Sequence, residues 1–149
     1  MMATHYTRDN LAAVLRAHDI TPTHQRIEIA YALFSRAEHL SADQLLAIVN
    51  GRHSETSKAT VYNTLNLFLE KKLIREVIVD PSKVFYDPNT APHHHFYNID
   101  TGELTDIQAS EIAISGLPQL PEGMVTEGVD IIVRIRSGVR AEPVGSVQS

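Results

Sequence analysis

The 149 residues predict an α+β fold with a helical first half and a strand-rich second half. Two observations lead to this prediction. Up to the Lys71-Lys72 pair, apolar residues recur every three or four positions, which is the spacing of amphipathic helices. From Arg75 onward they occur in short β-branched or alternating runs bounded by turn residues, which is typical of strands. A chain of this length forms one or two small domains with modest cores.

Four amphipathic stretches in the first half predict four helices. The first runs from Arg8 to His18, and the second runs from His24 to Ser35 behind the N-cap Thr23. Ser41 caps the third helix and Ser57 caps the fourth. The fourth helix has an apolar stripe at helical spacing, which consists of Val61, Leu65, Phe68 and Leu69.

Two runs after the fourth helix predict a β-hairpin. Arg75–Val79 and Val84–Tyr86 are β-branched or aromatic, and Asp80-Pro81-Ser82-Lys83 between them is a turn sequence. Helices followed by such a hairpin are the plan of a winged helix-turn-helix module, which places its last helix in the major groove of DNA. An ordinary solvated helix face would show the same pattern. The polar groups that could contact DNA are those of Lys58, Tyr62, Asn63 and Asn66.

The second half is predicted to be a small α/β unit. His94–Ile99 and Glu103–Ile107 flank the turn signal Asp100-Thr101-Gly102 and predict a second hairpin. Residues around Ile112 and Leu117 suggest a short helix that Pro118 stops. A last strand follows with one wholly apolar face, made of Val129, Ile131, Val133 and Ile135. So few strands leave open edges and an apolar face that a second copy of the chain could cover, and we therefore expect a homodimer.

Composition and charge divide the chain and exclude several functions. We expect a DNA-binding domain over residues 1–87, a linker over 88–92, a dimerisation and metal-sensing domain over 93–137, and a flexible tail over 138–149. Ten basic and ten acidic residues precede Pro88, whereas three basic and eight acidic residues follow Asp87. The absence of cysteine excludes disulfides, thiolate zinc sites and thiol redox chemistry. No apolar run suits a membrane span or a signal peptide, so we expect a cytoplasmic protein without a membrane partner.

Three consecutive histidines predict a metal site. On a strand, His93 and His95 project to one face and His94 to the other. The hairpin turn would place Asp106 opposite His95, and Asp87 is near enough in sequence to fold back onto the same point. Imidazole and carboxylate ligands fit Fe(II), Mn(II), Zn(II) or Co(II) rather than Cu(I). The alternative is an exposed, tag-like tract, although this one lies inside a patterned segment.

Five stretches of the chain form a characteristic series of motifs: Thr21-Pro-Thr-His-Gln-Arg26, His39-Leu-Ser-Ala-Asp-Gln44, Ser57-Lys-Ala-Thr-Val-Tyr-Asn-Thr-Leu65, His93-His-His95 and Gly102-Glu-Leu-Thr-Asp-Ile107. In order and spacing they cover most of residues 10–136, and the helical motif together with the histidine cluster is far more specific than either alone. Together the motifs resemble the ferric uptake regulator (Fur) family of metal-dependent transcription repressors.

The resemblance implies a sensing site between two domains with five ligands and one divalent metal per subunit, Fe(II) or Mn(II), with Zn(II) able to bind in vitro. The implied ligands are His39, Asp87, His93, His95 and Asp106. It also implies a homodimer that binds a palindromic, AT-rich operator in double-stranded DNA. The residues expected to contact DNA are Arg16, Arg26, Lys58, Thr60, Tyr62 and Asn63.

The sequence departs from the family pattern in three places, which limits the branches of the family that it can resemble. Asn98 and Thr101 stand where many members have a Cys-x-x-Cys pair, so no structural zinc held by four cysteines is expected. No histidine follows His95, so a further metal site of some members is also expected to be missing. Asn63 stands where some iron-responsive members have arginine.

The signal to which the protein responds stays open between two branches of the family. Asp106, in place of glutamate, resembles the peroxide-responsive branch, in which a ligand histidine such as His39 or His93 is oxidised. The cysteine-free chain with His93-His-His-Phe-Tyr97 resembles the haem- and iron-responsive Irr branch, so haem is a possible ligand.

The residues also permit two functions outside the family. Two histidines and one carboxylate also form the facial triad of non-haem Fe(II) oxygenases. That function would leave the helical half unused, and the chain is short for such an enzyme. A helical adaptor with an accidental histidine tract is the second alternative. Metal-dependent binding to DNA separates both from a regulator.

Overall fold

The structure is a computed structural model that describes residues 5–36, 39–52 and 56–138, without the side chain of Arg52. Its α+β architecture confirms the predicted fold class. The tail expected over residues 138–149 lies outside the described residues except for Gly138.

Four helices form the first part of the chain. Thr23 and Ser57 are confirmed as N-caps, because their side chains accept hydrogen bonds from the backbone N–H groups of Arg26 and Thr60. Thr7 caps the first helix within a capping box. The apolar stripes of the helices meet in a core that includes fully buried Leu11, Leu15, Ile29, Leu45, Leu65 and Phe68. The helices are α1 (Arg8–Ala17), α2 (His24–Phe34), α3 (Ala42–Arg52) and α4 (Lys58–Glu70).

The predicted hairpin, here called the wing, consists of antiparallel strands β1 (Arg75–Asp80) and β2 (Lys83–Asp87). Successive side chains of a strand point to opposite faces, and both faces of the wing are used. Tyr86 packs in the helical core, whereas its neighbour Phe85 packs in a second core. That second core consists of Val77, Val79, Phe85, Tyr97 and Leu104, with Ile132 against it. The wing therefore lies between the helices and the C-terminal sheet.

The C-terminal sheet has the strand order β4-β3-β5. Strands β3 (His94–Asn98) and β4 (Leu104–Ile107) form the predicted hairpin, and β5 (Ile132–Ile135) runs parallel to β3. The register pairs His95 with Asp106, as the sequence predicted. This register puts both side chains on the face of the sheet that carries Tyr97 and Leu104 of the second core.

Two predictions about the second half were wrong. The helix expected around Ile112–Leu117 is absent from the described residues 108–131, which contain a single 3-10 turn at Ala109–Glu111. Gly116 has φ +74, and prolines follow at positions 118 and 121, so a regular helix cannot continue through the segment. The last strand is also shorter than expected. Its predicted apolar face is largely exposed at Val129, Val133 and Ile135, while Ile132 on the opposite face packs against the second core.

No helix among the described residues is long and apolar enough to cross a membrane.

Candidate metal centre

Five side chains from both halves of the chain meet between the wing and the C-terminal sheet. Each offers one nitrogen or oxygen atom, and these five atoms lie within 4.8 Å of one another. Four of the five residues are buried, and Asp106 is half-buried. They are the five ligands that the family resemblance implied: His39, Asp87, His93, His95 and Asp106.

The β3–β4 hairpin supplies three of these groups. His95 and Asp106 lie directly opposite each other, and His93 precedes β3 by one residue on the same side as His95. The hairpin closes through Asn98, whose side-chain oxygen accepts hydrogen bonds from the N–H groups of Asp100 (2.9 Å) and Thr101 (3.1 Å). The register that joins the three groups thus depends on a local turn.

Asp87 enters from the wing as the last residue of β2. Its Oδ1 accepts a hydrogen bond from the N–H of Asn89 (2.8 Å), and the side chain of Asn89 accepts one from the N–H of Ala91 (3.1 Å). These two side-chain-closed turns reverse the chain over the short linker and deliver it to His93. Oδ2 of Asp87 remains directed at the three imidazoles.

His39 reaches the centre from the helical half because its segment is held on both sides. The N–H of His39 donates to the carbonyl of Leu104 on β4 (3.1 Å), and the N–H of Tyr86 on β2 donates to the carbonyl of Leu40 (2.9 Å). Ser41 and Gln44 then start α3 with reciprocal cap hydrogen bonds of 2.9 and 3.2 Å. The main chain thus fixes His39 between the two sheets.

The spacing of the ligand atoms suits a single cation. All three histidines present Nε2 to the carboxylates, at 2.7–3.2 Å from Oδ2 of Asp87 and 2.7–3.5 Å from Oδ1 of Asp106. Ligands about 2.1 Å from a common ion are separated by roughly 3 Å when adjacent and roughly 4.2 Å when opposed. The observed distances of 2.7–3.5 Å between imidazole and carboxylate atoms are close to the separation of adjacent ligands, so these residues fit a divalent ion.

The protonation of His93 is a second reason to expect a cation at this site. Its Nδ1 lies 2.6 Å from the carbonyl of Ala91, which can only accept, so Nδ1 carries the proton. Nε2 then faces Oδ2 of Asp87 at 2.7 Å and needs a proton or a cation between the two atoms. Burial on its own would lower the pKa of His93, but the Ala91 hydrogen bond and the charges of Asp87 and Asp106 outweigh burial and raise it. A metal ion bound here would therefore compete with a proton for this nitrogen.

Both carboxylates are held in the ionised form. Burial would raise the pKa of Asp87, but the hydrogen bond from His95 and the charge of His39 lower it overall. Burial likewise opposes ionisation of Asp106, and the hydrogen bond and charge of His39 lower its pKa. Buried Asp87 and half-buried Asp106 thus bring two carboxylate charges together, which a divalent cation would balance.

The three histidines differ in their outer partners. Nδ1 of His93 is hydrogen-bonded to Ala91, whereas Nδ1 of His39 and of His95 is buried without a partner among the described residues. A fixed outer hydrogen bond orients a metal-binding imidazole. The structure therefore gives His93 the best-defined ligand orientation of the three.

The residues predicted to contact DNA lie on three helices. Lys58, Tyr62 and Asn63 are exposed on α4, and Asn66 continues the same face one turn later. Arg16 is exposed in the last turn of α1. Three of them have partners within the protein. Nζ of Lys58 lies 3.8 Å from Oδ1 of Asp43, Arg26 donates to the carbonyl of Thr21 (2.9 Å), and the hydroxyl of Thr60 lies 2.9 Å from that of Ser57.

An ion pair beside the centre was not predicted from the sequence. It joins Arg75 at the start of the wing to Asp130 before β5. The two residues are 55 positions apart, and neither belongs to a motif. No local pattern in the sequence signals this contact.

A helical core with a wing, joined to a small sheet through a histidine–carboxylate centre, defines a metal-responsive regulator with a winged helix-turn-helix. Residues 18–131 match the ferric uptake regulator family. The chain belongs to this family, whose members are metal-responsive transcription regulators and not enzymes.

One relative is similar to this chain in sequence, and two solved structures are similar to it in fold. The chain is 30% identical to the peroxide operon regulator of Bacillus subtilis (strain 168) over 105 residues, which are 70% of this chain and 72% of that protein. Its fold is similar to the ferric uptake regulator of Vibrio cholerae, with a TM-score of 0.65 and 18% identity over 85% of this chain and 99% of that chain. The ferric uptake regulator from Pseudomonas aeruginosa, solved with manganese, is also similar in fold. Its TM-score is 0.61 and its identity is 21%, over 85% of this chain and 97% of that chain.

Proposed function

We propose that this chain is a homodimeric transcription regulator, a repressor that works in the cytoplasm, in which one divalent metal per subunit sets the conformation that binds DNA. The proposal rests on the five ligand atoms contributed by both halves of the chain, all within 4.8 Å of one another. The division into a DNA-binding domain over residues 1–87 and a sensing domain over 93–137 is part of the proposal.

The ligand set favours Fe(II) or Mn(II). Three imidazoles and two carboxylates suit these ions, whereas zinc in structural sites prefers four ligands. Zn(II) would still bind in vitro, because it lies above Fe(II) and Mn(II) in the general affinity order. The regulator from Pseudomonas aeruginosa, which shares the fold, contains manganese.

Residues of the chain translate metal binding into domain orientation. Asp87 and His39 belong to the helical half, while His93, His95 and Asp106 belong to the other half. A bound divalent ion supplies the positive charge that lets these ligands stay together. Because only the closed arrangement offers all five ligands, the metal shifts the population toward that arrangement. The closed dimer then presents two α4 helices at a fixed spacing, which a palindromic site requires.

The exposed face of α4 supports a preference for A·T base pairs. Asn63 and Asn66 are exposed amides that can each pair with adenine in the major groove, and aromatic groups such as Tyr62 can pack on thymine methyls. Lys58 at the start of the helix can contact a phosphate if its Nζ leaves Oδ1 of Asp43, which lies 3.8 Å away. We propose Arg16 and Arg26 as further phosphate contacts; Arg26 would have to leave the carbonyl of Thr21.

A gel-shift experiment tests this function. Metal-loaded protein first selects duplexes from a random-sequence pool, and the enriched duplex is then titrated with and without Mn(II). We expect enrichment of an AT-rich palindrome and binding at least about tenfold tighter with metal, a coupling that lies within the usual range. His93→Ala should lose the metal effect, and His5→Ala, which changes an exposed histidine far from the centre in sequence, should keep it. Metal-indifferent binding by the wild-type protein would contradict the proposal.

We propose peroxide as the signal, because the relative from Bacillus subtilis is a peroxide operon regulator and Asp106 occupies the carboxylate position on β4. Peroxide would insert one oxygen atom at a ring C–H of His39 or His93, and its other oxygen would leave as water. Mass spectrometry of Fe(II)-loaded protein after exposure to peroxide should show +16 Da on one of these residues, and Mn(II)-loaded protein should show none. Unmodified histidines in the Fe(II) form would contradict the peroxide signal.

A further inference from the structure

Besides the second core, an ion pair beside the metal centre connects the two halves and uses none of the metal ligands. Arg75 begins β1 and pairs with Asp87 in the register of the wing. Its guanidinium donates through Nη2 to Oδ1 of Asp130, which precedes β5. The two side chains are 24% and 48% exposed, so the ion pair lies at the edge of the interface.

Ile131, which follows Asp130, is hydrogen-bonded to β3. The N–H of Ile131 donates to Nδ1 of His94 (3.1 Å), and the carbonyl of Ile131 accepts from the N–H of His95 (3.1 Å). His94, the middle residue of the histidine run, thus holds β5 while its two neighbours face the centre. The Arg75–Asp130 ion pair is therefore connected through Ile131 to β3, which carries His95 and directly follows His93.

We propose that Arg75 and Asp130 form a metal-independent latch that holds the two halves in the arrangement in which the five ligands meet. The latch makes Arg75 and Asp130 positioning residues, and its effect on metal affinity rests on the proposed function. By preorganising the ligands it removes part of the ordering cost of metal binding. A partly exposed ion pair has a modest effect, so we expect the latch to change metal affinity about three- to tenfold.

Substitution of Arg75 tests the direction in which metal affinity changes. Electrostatics alone predict that removing a cation near a cation site strengthens metal binding. The latch predicts the reverse, because Arg75→Gln releases Asp130 and loosens the ligands. Asp130→Asn should weaken metal binding to a similar extent. The double variant should lose no more metal affinity than either single variant, because all three remove the same contact.

Two measurements test the latch. Co(II) affinity, followed by absorption, should be about three- to tenfold weaker in Arg75→Gln and Asp130→Asn, about as in the wild type for Asp130→Glu, and less salt-dependent in the first two variants. Hydrogen exchange at the His39 amide, whose N–H donates to Leu104 across the two halves, reports closure in metal-free protein. We expect it to be faster in both variants. Asp80→Asn is the matched control, since Asp80 pairs with Lys83 inside the wing at 3.3 Å.

The outcomes separate the latch from the proposed function. Unchanged exchange at His39 in Asp130→Asn, or Co(II) binding that strengthens in Arg75→Gln, overturns the latch even if the wild type binds metal and DNA as proposed. Wild-type protein that binds no metal contradicts the proposed function and the effect of the latch on affinity. Faster exchange in the two variants would support the latch even in that case.

Discussion

His39 and Asp106 are 67 positions apart in the sequence, yet Nε2 of His39 lies 2.7 Å from Oδ1 of Asp106. The histidine precedes α3 in the helical half, and the aspartate lies on β4 of the C-terminal sheet. If the two residues bind one metal ion, as we propose, the affinity for metal depends on the relative orientation of the two halves. By thermodynamic linkage, metal binding then favours one orientation of the halves.

Removal of the carboxylate of Asp106 tests the centre. Asp106→Asn keeps the size of the side chain but loses the charge and one ligand oxygen. We expect Mn(II) affinity, measured by electron paramagnetic resonance, to fall at least about tenfold. Even the loss of a residue that only hydrogen-bonds to a metal ligand lowers metal affinity about 10- to 100-fold. Glu103→Gln on the same hairpin is exposed and should bind Mn(II) like the wild type. Equal affinities in all three proteins would exclude Asp106 as a ligand.

The stability of the metal-free protein should depend on pH in two opposite ways. The lowered pKa values of Asp87 and Asp106 give stability above about pH 3.9, the unfolded value, that is lost as pH falls through their folded pKa values. The raised pKa of His93 gives stability below about pH 6.5 that is lost as pH rises through its folded value. The contribution of the cluster is therefore greatest between about pH 4 and pH 6.5.

Thermal unfolding in the presence of a chelator measures this pH dependence. We expect Tm to decrease from about pH 6 to about pH 8, and the increase in Tm on adding Mn(II) to grow over the same interval, because the ion displaces the proton of His93. His93→Gln should lack this loss of Tm in metal-free protein. A wild-type increase on adding Mn(II) that shrinks toward the upper end of this interval would disagree with competition between metal and proton.

Two residues of α4 should affect DNA binding differently. Lys58→Ala removes a phosphate contact, so affinity should fall by a similar factor for all sequences and the salt slope should decrease by about 1. Asn63→Ala removes a base contact and should cost about 1–3 kcal/mol on the selected duplex while relaxing specificity at one position. Anisotropy titrations at several salt concentrations distinguish the two patterns. Sequence-independent loss in Asn63→Ala would assign that residue to the phosphates.

Asn98, which stands where the family resemblance would place a cysteine, should stabilise the β3–β4 hairpin. Its side chain accepts from the N–H groups of Asp100 and Thr101, and the hydroxyl of Thr101 accepts from the N–H of Glu103 (3.2 Å). Asn98→Ala should lower the free energy of unfolding by about 1–2 kcal/mol, measured with urea. Asn66→Ala on the exposed face of α4 is the control, with little expected change. Elemental analysis should find no zinc in metal-stripped protein that remains folded.

Local sequence signals predicted most of the helical half and part of the centre. N-caps such as Ser57 and the turn between the wing strands act over a few residues, so sequence alone located them. The position of His95 opposite Asp106 followed from the two-residue period of strands and the length of the turn. His39 could not be found this way, because main-chain bonds to Leu104 and from Tyr86 hold its segment; only the family resemblance implied it.

The second half was predicted less well, for a physical reason. Apolar residues such as Ile112 and Leu117 resemble a helical stripe, but Gly116 with φ +74 and Pro118 prevent a helix there. The exposed apolar residues of this segment include Leu117 (61%), Met124 (63%) and Val125 (87%). Their environment depends on a second copy of the chain, if the proposed dimer forms, and a local pattern cannot show it.

The reciprocity of metal and DNA binding tests the central claim most directly. Mn(II) affinity is measured by electron paramagnetic resonance with and without a saturating amount of the selected duplex. If the metal sets the DNA-binding conformation, DNA must strengthen Mn(II) binding by the same factor by which Mn(II) strengthens DNA binding, at least about tenfold. Identical Mn(II) affinities with and without DNA would contradict the account.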